Sequence, residues 1–284
     1  MTRCTSCSRT YGSIGRYINL IPNPPPPDDL AVDWSLWEQL QDNGEISYAV
    51  SPEGSLSVGK REDASAFAEF SQLEGLVLDV GCGPQGLPSY GADFPGTLVG
   101  VDPLAGNPSR DFLFAIAIGE YLPFGDGTFD RVLFATSLDH VMDPARALRE
   151  ARRVVKASGT VNLWFGLVQR DRGAESCETT PARTSTLHKL GTALNLVREG
   201  RLDEFKQLTA KRIGLGGHQG VSTAYLAEIT VPNGAIDQFH AFHLDVPLAE
   251  QLLSGAGLDV LEMTEWHDGN VFARCRQSTA PDDR

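Results

Sequence analysis

A run of glycines directly after an apolar stretch is the feature of this sequence with the clearest chemical meaning. Val77-Leu78-Asp79-Val80 leads into a loop in which positions 81, 83 and 86 are glycine. Glycine permits a tight turn and lets the backbone approach a ligand closely. Because dinucleotide-binding domains also use this glycine spacing, the loop predicts a nucleotide-like ligand without choosing its class.

Two aspartates near the loop narrow the choice of ligand. Asp79 stands two residues before Gly81, where a carboxylate opposes a pyrophosphate and attracts a ligand that carries an ammonium and a sulfonium. Asp102 ends a second apolar run about 20 residues later, where an acid accepts hydrogen bonds from the ribose hydroxyls of either ligand class. Asp79 therefore favours a cationic ligand over a dinucleotide, whereas Asp102 suits either class.

Strand and helix patterns alternate around this loop. Short β-rich runs fall at 76–80, 97–101, 131–135 and 160–165, and the strongest helical pattern is 145–155. Such alternation predicts an α/β fold with a parallel sheet and right-handed crossovers. Outside this core we predict helices at 32–41, 65–70 and 247–257, and a closing β-hairpin made of 259–266 and 270–275.

Further motifs follow the loop in order along the chain. The segment Gly119-Glu120-Tyr121-Leu122-Pro123-Phe124 precedes Ser137-Leu138-Asp139-His140. Together with the glycine loop, these motifs resemble the class I S-adenosylmethionine-dependent methyltransferases of the type 11 group, over roughly residues 76–166. The resemblance implies a Rossmann-like methyltransferase fold: a mostly parallel seven-stranded sheet flanked by helices, with an antiparallel C-terminal hairpin and a helical cap insertion.

The same resemblance implies S-adenosyl-L-methionine as the cofactor and indicates its contacts. At the methionine end they are Asp79, Gly81, Cys82 and Gly83, and at the ribose they are Asp102 and Pro103. Gly119 and Glu120 lie beside the adenine, and Thr136 and Ser137 form the wall of the cleft. Ile118 is a departure, because the family often has an aspartate there that contacts the adenine amine. Recognition of adenine is therefore expected from backbone groups.

Two features beside these motifs suggest catalysis only weakly. Cys82 lies near Asp79, which disfavours a thiolate, so packing or a cofactor contact is expected of this cysteine. Asp139-His140 looks like an acid–base pair. The equivalent pair in the family supports loop and helix structure, and a catalytic role is the minor alternative.

Two histidines before the last predicted helix are the candidates for a catalytic base. Methyl transfer from a sulfonium is an in-line displacement, which needs orientation and exclusion of water more than a covalent catalyst. An alcohol, phenol or protonated amine acceptor would also need a base, and His240 and His243 lie three positions apart. We expect one of them to face the acceptor; local packing or capping is the alternative, and His218 is a weaker candidate.

A proline run divides the chain. Residues 1–27 comprise a segment with Cys4 and Cys7, which resembles half of a small zinc ribbon, and a proline-rich linker. A structural zinc ion needs four ligands, so a metal-free remnant is expected. Residues 28–284 form the methyltransferase domain, in which 169–233 is an insertion expected to cover the acceptor. Its removal should spare cofactor binding and impair methylation.

Composition limits the expected partners and compartment. The formal net charge of −13 at pH 7 disfavours generic binding to nucleic acids or anionic membranes. No apolar run approaches the roughly 20 residues that span a bilayer, and five scattered cysteines fit a reducing compartment. We therefore expect a cytoplasmic protein with a small-molecule acceptor and without a nucleic-acid or membrane partner.

Three functional classes remain open on the sequence. Small-molecule methylation at oxygen or nitrogen leads, because it fits the acidic charge and the lack of an RNA-binding module. RNA methylation is suggested only by the ribbon-like segment, since related ribbons accompany some RNA methyltransferases. A non-catalytic or oxidoreductase Rossmann domain is the third, and Asp79 and the Leu122-Pro123-Phe124 segment argue against a nicotinamide enzyme.

Overall fold

The computed structural model describes residues 2–3, 10–22, 30–50, 61–84, 86–106, 110–167 and 239–279. Before the sheet core lie four short strands and two helices: β1 (Thr2–Arg3), β2 (Thr10–Tyr11), β3 (Ser13–Ile14), β4 (Tyr17–Ile18), α1 (Trp34–Val50) and α2 (Glu62–Ser71). The core then follows as β5 (Gly75–Val80), β6 (Gly96–Asp102), β7 (Leu113–Ile116), β8 (Phe129–Ala135), α3 (Pro144–Val154), β9 (Val155–Gly166), α4 (Val246–Gly255), β10 (Leu258–Trp266) and β11 (Asn270–Gln277).

The main sheet has seven strands in the order β10-β11-β9-β8-β5-β6-β7. Strands β5 to β9 pair in parallel, whereas β11 is antiparallel to both β9 and β10. Strand β5 lies in the middle, with Leu78 opposite Val99 of β6 and Val132 of β8. Its continuous apolar run is typical of a parallel strand covered on both faces. The predicted α/β fold with a closing antiparallel hairpin is confirmed.

Helices on both faces bury the sheet. On one face, α3 packs the row Ala147, Leu148, Ala151 and Val154 against the core. Its start is fixed because the side chain of Asp143 accepts a hydrogen bond from the Arg146 N–H at 2.9 Å. On the other face, α2 inserts Phe67, whose ring centroid lies 5.4 to 5.8 Å from those of Tyr90, Trp164 and Phe272.

Two loops between parallel strands depart from the regular alternation of strand and helix. In its described residues, the segment between β5 and β6 has a 3-10 turn over Ser89–Gly91 and no α-helix. The described residues between β6 and β7 also contain no helix. Strand β7, which the sequence patterns did not predict, is a four-residue edge strand with Leu113 exposed. Such a short, half-exposed run gives no clear alternation of apolar residues.

The N-terminal residues 10–22 pack against this edge. The backbone N–H of Leu20 donates to the carbonyl of Ile116 at 2.7 Å, and the Tyr17 ring meets that of Phe114 edge-on with centroids 4.9 Å apart. Cys4, Cys7, the four consecutive prolines 24–27, the insertion 169–233 and His218 lie outside the described residues. The predicted boundary at residue 27 thus stays a prediction.

Membrane-spanning helices were searched for along the same described ranges. None of the helices there combines the length and the apolar character that crossing a bilayer requires.

Candidate cofactor and acceptor site

A cavity of about 420 Å³ opens at the carboxyl ends of β5, β6 and β8. Crevices at this edge of an open α/β sheet are the usual ligand sites of such folds, and the volume is typical of a small-ligand pocket. The N-terminal helix α1 forms the opposite wall with Trp37, Leu40, Gln41, Gly44 and Tyr48. The cavity therefore lies between the sheet edge and a helix that precedes the sheet in the chain.

The glycine loop takes backbone angles that only glycine adopts without strain. Gly81 has a φ of 77° and Gly83 a φ of 78°. A Cβ on Gly81 would lie 2.5 Å from the Cβ of Ser137, whose hydroxyl donates to the carbonyl of Val80 at 2.5 Å. Around Gly86 no atom comes within 4 Å of such a Cβ. The first two glycines of the pattern are thus required by geometry, and the third is not.

Asp79 lies behind the cavity wall. Its side chain is fully buried, and one oxygen accepts a hydrogen bond from the Tyr90 hydroxyl at 2.7 Å. The other oxygen has no hydrogen-bond partner among the described residues. Burial raises the pKa of Asp79 to about 7. Tyr90 lines the cavity whereas Asp79 does not, so this carboxylate faces the site through a neighbour.

Asp102 joins the two loops that flank the predicted ribose position. Its carboxylate accepts hydrogen bonds from the N–H groups of Gly83 and Leu104, both at 2.8 Å. Burial raises the pKa of Asp102, and these two backbone donors oppose that rise. A carboxylate oxygen has a second lone pair, so both oxygens can still accept from a ligand hydroxyl. The neighbouring Pro103 also lines the cavity.

Arg110 is a part of the site that the sequence analysis missed. This buried guanidinium donates to the carbonyl of Gly83 at 2.9 Å and to that of Ala105 at 3.2 Å. It also lies 3.6 Å above the ring centroid of Phe114. Arg110 thus holds together the two loops that Asp102 bridges. An arginine that follows a loop by a few residues gives no sequence pattern from which this contact could be predicted.

Cys82 lies in the loop as a buried thiol. Burial raises the pKa of Cys82 well above its usual range, and the negative charges of Asp102 and Asp79 add to this effect. A thiolate is therefore strongly disfavoured, and Cys82 lines the cavity as a neutral thiol.

The residues expected beside the adenine lie at the cavity, and Glu120 also contacts the loop that precedes α3. Ile118, Gly119 and Glu120 all line the cavity. Glu120 is buried, and its carboxylate accepts hydrogen bonds from the N–H groups of Met142 at 2.5 Å and Asp143 at 3.1 Å. Burial raises the pKa of Glu120, against the pull of the backbone donors. This side chain therefore also fixes the loop that precedes α3.

The cleft wall after β8 contains a residue in a strained conformation. Thr136 has a φ of 55°, which is rare for a residue other than glycine. Its N–H donates to the carbonyl of Trp164 at 2.8 Å. Thr136 and Ser137 both line the cavity, as expected. A left-handed residue at the end of a central strand is frequent at functional sites.

The two candidate bases lie in different environments. His240 lines the cavity and His243 does not, although their ring centroids are 5.8 Å apart. The His240 ring lies 4.5 Å from that of His140, and the Asp139 carboxylate is 3.7 Å from the Nε2 atoms of both. Residues almost 100 positions apart thus converge, which no spacing in the sequence indicates.

Helix α1 supplies a part of the lining that the sequence analysis missed. The indole N–H of Trp37 and the amide of Gln41 both donate to the carbonyl of His140, at 3.1 and 3.2 Å. Burial raises the pKa of Tyr48 to about 12, and nearby Asp102 and Asp139 contribute. The pattern at 32–41 predicted a helix with an apolar face, yet it could not indicate what that face covers.

The donor set fits a cationic nucleoside cofactor better than a dinucleotide. A pyrophosphate is usually held by a helix N-terminus directly after the glycine loop. In the described residues after this loop, Ser89–Gly91 forms only a 3-10 turn. The orphaned oxygen of Asp79 and the carboxylate of Asp102 instead place negative charge around the site. The residues thus suit an ammonium, a sulfonium and a ribose.

Comparisons with known proteins agree with this geometry. Residues 78–163 match the family model described as a methyltransferase domain. Ajmaline N-methyltransferase from Rauvolfia serpentina is 28% identical over 150 residues, which cover 47% of this chain and 51% of that protein. An uncharacterised methyltransferase from Schizosaccharomyces pombe is 34% identical over 106 residues, 30% of this chain and 37% of that protein. The chain thus spans about half of these relatives or less.

Solved structures share the fold at low identity. The Burkholderia thailandensis 1,6-didemethyltoxoflavin-N1-methyltransferase, with bound 1,6-didemethyltoxoflavin and S-adenosylhomocysteine, has a TM-score of 0.52 and 11% identity. The match covers 89% of this chain and 94% of that one. The [4+2]-cyclase SpnF has a TM-score of 0.51 and 13% identity, with 88% and 99% covered. Residues 78–163 of this chain therefore match a methyltransferase domain, within a fold that solved methyltransferase structures share.

Proposed function

We propose that this chain transfers the methyl group of S-adenosylmethionine to a small-molecule acceptor, at an oxygen or nitrogen atom. The observation that carries the proposal is the single cavity that joins the glycine loop and Asp102 to His140 and His240. A cofactor bound at the loop would face those histidines within one enclosed space. A volume of about 420 Å³ favours small ligands over a polymer.

The cofactor contacts that we propose follow the lining of the cavity. Gly81 and Gly83 would contact the methionine part through their backbone, Asp102 beside Pro103 would accept from the ribose hydroxyls, and the Ile118–Glu120 segment would contact the adenine. Thr136 and Ser137 would form the wall, and Cys82 would pack against the ligand. Asp79, behind Tyr90, would act through its negative charge on the cationic end of the cofactor.

Catalysis would consist mainly of alignment and exclusion of water. The bound cofactor supplies its methyl group on a sulfonium, and the acceptor lone pair must lie opposite the leaving sulfur. Trp37 and Leu40 of α1, together with Trp164 of β9, give the cavity apolar walls that exclude water. Catalysis of this kind requires no covalent bond between the protein and the acceptor.

We further propose that His240 contacts the acceptor, because it lines the cavity and His243 does not. His240→Ala should reduce turnover at least about 100-fold while cofactor binding persists, the low end of about 10²- to 10⁴-fold for removal of a general base. His243→Ala is the matched control and should retain turnover. If both variants retained turnover, the role of His240 at the acceptor would be abandoned.

RNA methylation is the second candidate, and it rests on the ribbon-like segment that contains Cys4 and Cys7. The formal net charge of −13 argues against it, since most RNA-binding proteins neutralise phosphates with a basic surface. A non-catalytic or oxidoreductase role is the third candidate, because a fold alone does not determine function: a solved chain named as a [4+2]-cyclase also has this fold.

Calorimetric titration tests the proposal most directly. S-adenosylmethionine and S-adenosylhomocysteine should bind with one site per chain, and oxidised nicotinamide dinucleotide should not. Asp102→Ala should weaken the binding of both adenosyl ligands, whereas Asp93→Ala, an exposed aspartate between β5 and β6, should not. A folded protein that bound neither adenosyl ligand would overturn the proposal. Binding by the wild type then justifies an acceptor screen with a labelled methyl group.

A further inference from the structure

Three side chains beside the cavity meet in an arrangement that the cofactor contacts do not explain. Asp139, His140 and His240, called the Asp-His-His cluster below, each offer one ligand atom, and these atoms lie within 4.8 Å of one another. Two of them, His140 and His240, line the cavity. The cluster therefore combines two imidazoles and one carboxylate at the edge of the proposed acceptor space.

Backbone contacts hold the two halves of the cluster together. Asp139 and His140 belong to the 3-10 turn Leu138–His140 after β8. The N–H groups of Ala241 and Phe242, next to His240, both donate to the carbonyl of Asp139, at 3.1 and 3.3 Å. The juxtaposition thus follows from main-chain docking and does not depend on the side chains alone.

The proton position on His140 is fixed by its neighbour. Its Nδ1 lies 3.0 Å from the carbonyl oxygen of Phe239, and a carbonyl oxygen can only accept, so Nδ1 carries a proton. In a neutral ring, Nε2 then presents a lone pair. That atom lies 3.7 Å from Asp139 Oδ1, which is buried and has no hydrogen-bond partner among the described residues. With a neutral His140 ring, two acceptors thus face each other, and no hydrogen bond among the described residues satisfies Asp139 Oδ1.

A cation between these atoms would satisfy both. At 3.7 Å the two Nε2–carboxylate distances are too long for hydrogen bonds. Ligand atoms around a tetrahedral zinc ion, each about 2.1 Å from it, lie about 3.4 Å apart. Those of the cluster lie within 4.8 Å of one another, so the three side chains would have to close around the ion to complete a site. A ligating histidine usually donates its other ring N–H to a carbonyl or carboxylate, as His140 does here.

We propose that the Asp-His-His cluster binds one divalent transition-metal ion of the zinc type. Imidazole nitrogen suits Zn²⁺, Co²⁺ or Ni²⁺, whereas Mg²⁺ and Ca²⁺ prefer sites made of oxygen alone. Three protein ligands leave the fourth coordination position of the ion open. Because both histidines line the cavity, this open position would face the cavity. The Cys4 and Cys7 pair has no part in this site.

A metal ion at this place would also indicate the chemical class of the acceptor. This step rests on the proposed function. An ion at the open position would bind an acceptor through an oxygen atom and favour its ionised form. The proton would pass to water, the new oxygen–carbon bond would form as the carbon–sulfur bond breaks, and the thioether would leave. His240 would then serve as a ligand, and acceptors with a hydroxyl would be preferred to amines.

Metal binding can be measured without any acceptor. The full chain, with any affinity tag removed, is dialysed against EDTA and then titrated with Co²⁺ and with Zn²⁺. We expect one Co²⁺ per chain, with visible absorption of a four-coordinate ion that Zn²⁺ abolishes. His140→Ala, His240→Ala and Asp139→Asn should each weaken binding at least tenfold, whereas His243→Ala should not. The double variant Cys4→Ser, Cys7→Ser should retain the ion, which excludes the N-terminal cysteines as its source.

The possible outcomes separate this inference from the proposed function. Absence of Co²⁺ binding in the folded wild type, or its full retention in both His140→Ala and His240→Ala, would overturn the metal site. Thermal unfolding with and without Zn²⁺ shows whether a variant is folded and whether it still gains stability from the ion. Binding of S-adenosylmethionine in EDTA tests the cofactor alone, so either proposal can fail while the other stands.

Discussion

At Gly81 the backbone is left-handed, and Ser137 occupies the space where a side chain would begin. Gly86 belongs to the same sequence pattern but has open space around it. The pattern predicted the loop correctly, yet it could not rank its glycines, because the neighbour that excludes a side chain comes from the loop after β8, more than 50 residues later. Similarly, Asp79 and Asp102 were both predicted near the ligand, but only Asp102 lines the cavity.

Replacement of the two glycines by alanine should therefore have unequal effects. Gly81→Ala combines a positive φ with a contact to Ser137, so we expect a loss of roughly 1–3 kcal/mol in the free energy of unfolding and weaker cofactor binding. Gly86→Ala is the matched control and should change neither quantity measurably. Urea unfolding and calorimetry check both. Normal cofactor affinity in Gly81→Ala would contradict the assignment of the loop.

Asp79 should make stability depend on pH in an unusual direction. Its pKa is raised from 3.8 to about 7 in the folded chain, so the folded state binds more protons than the unfolded state between these values. Stability from this group is therefore complete below pH 4 and is lost as the pH rises through 7, by about 4 kcal/mol in all. Urea midpoints of the wild type should fall between pH 5 and 8, and those of Asp79→Asn should fall less.

Asp130 provides the control for this pH effect, because its pKa shift has the opposite sign. Lys156 and the N–H of Leu76 lower the pKa of Asp130, so its contribution is lost only below about pH 4. In Asp130→Asn, the urea midpoint should change with pH between 5 and 8 as steeply as it does in the wild type. An equal slope in Asp79→Asn and the wild type would disprove the role of Asp79.

Among the secondary-structure elements, α2 has the most consequential position. It precedes the sheet in the chain but covers the face on which Trp164 and Phe272 lie. The sequence predicted its core, 65–70, from apolar spacing, and the observed bounds are wider, at Glu62–Ser71. Helix α1 was predicted only to residue 41. Its second half contains Asp42, Asn43, Gly44 and Glu45, which show no apolar period, so the packing over the cavity determines its helical state.

Truncation of Phe67 should weaken both the fold and the site. The ring is fully buried between Tyr90, Trp164 and Phe272, and removal of such a side chain costs about 3–5 kcal/mol of unfolding free energy. Because Tyr90 and Trp164 line the cavity, cofactor affinity should also decrease. Phe70→Ala, on the same helix but only partly buried, should cost much less. Equal losses in the two variants would contradict this account.

At the scale of the whole molecule, the acidic charge sets what the surface attracts. The chain has 24 lysine and arginine residues and 37 aspartate and glutamate residues, so it carries a surplus of negative groups. We expect no shift of labelled transfer RNA at about 50 mM salt, a condition in which phosphate contacts are strong. A shift that weakens steeply with salt would instead favour RNA as the acceptor.

The contacts of α2 also bear on how the chain is made. The Arg274 guanidinium of β11 donates to the carbonyl of Phe70 at 3.2 Å, across 204 residues of sequence. At a synthesis rate of about 5–20 residues per second, roughly 10–40 s separate the two ends of this contact. During that time the ribosome has released an aromatic helix whose partner strand does not yet exist. Docking of α2 against β11 must therefore wait until that strand has been synthesised, and until then part of the apolar face of this helix has no cover.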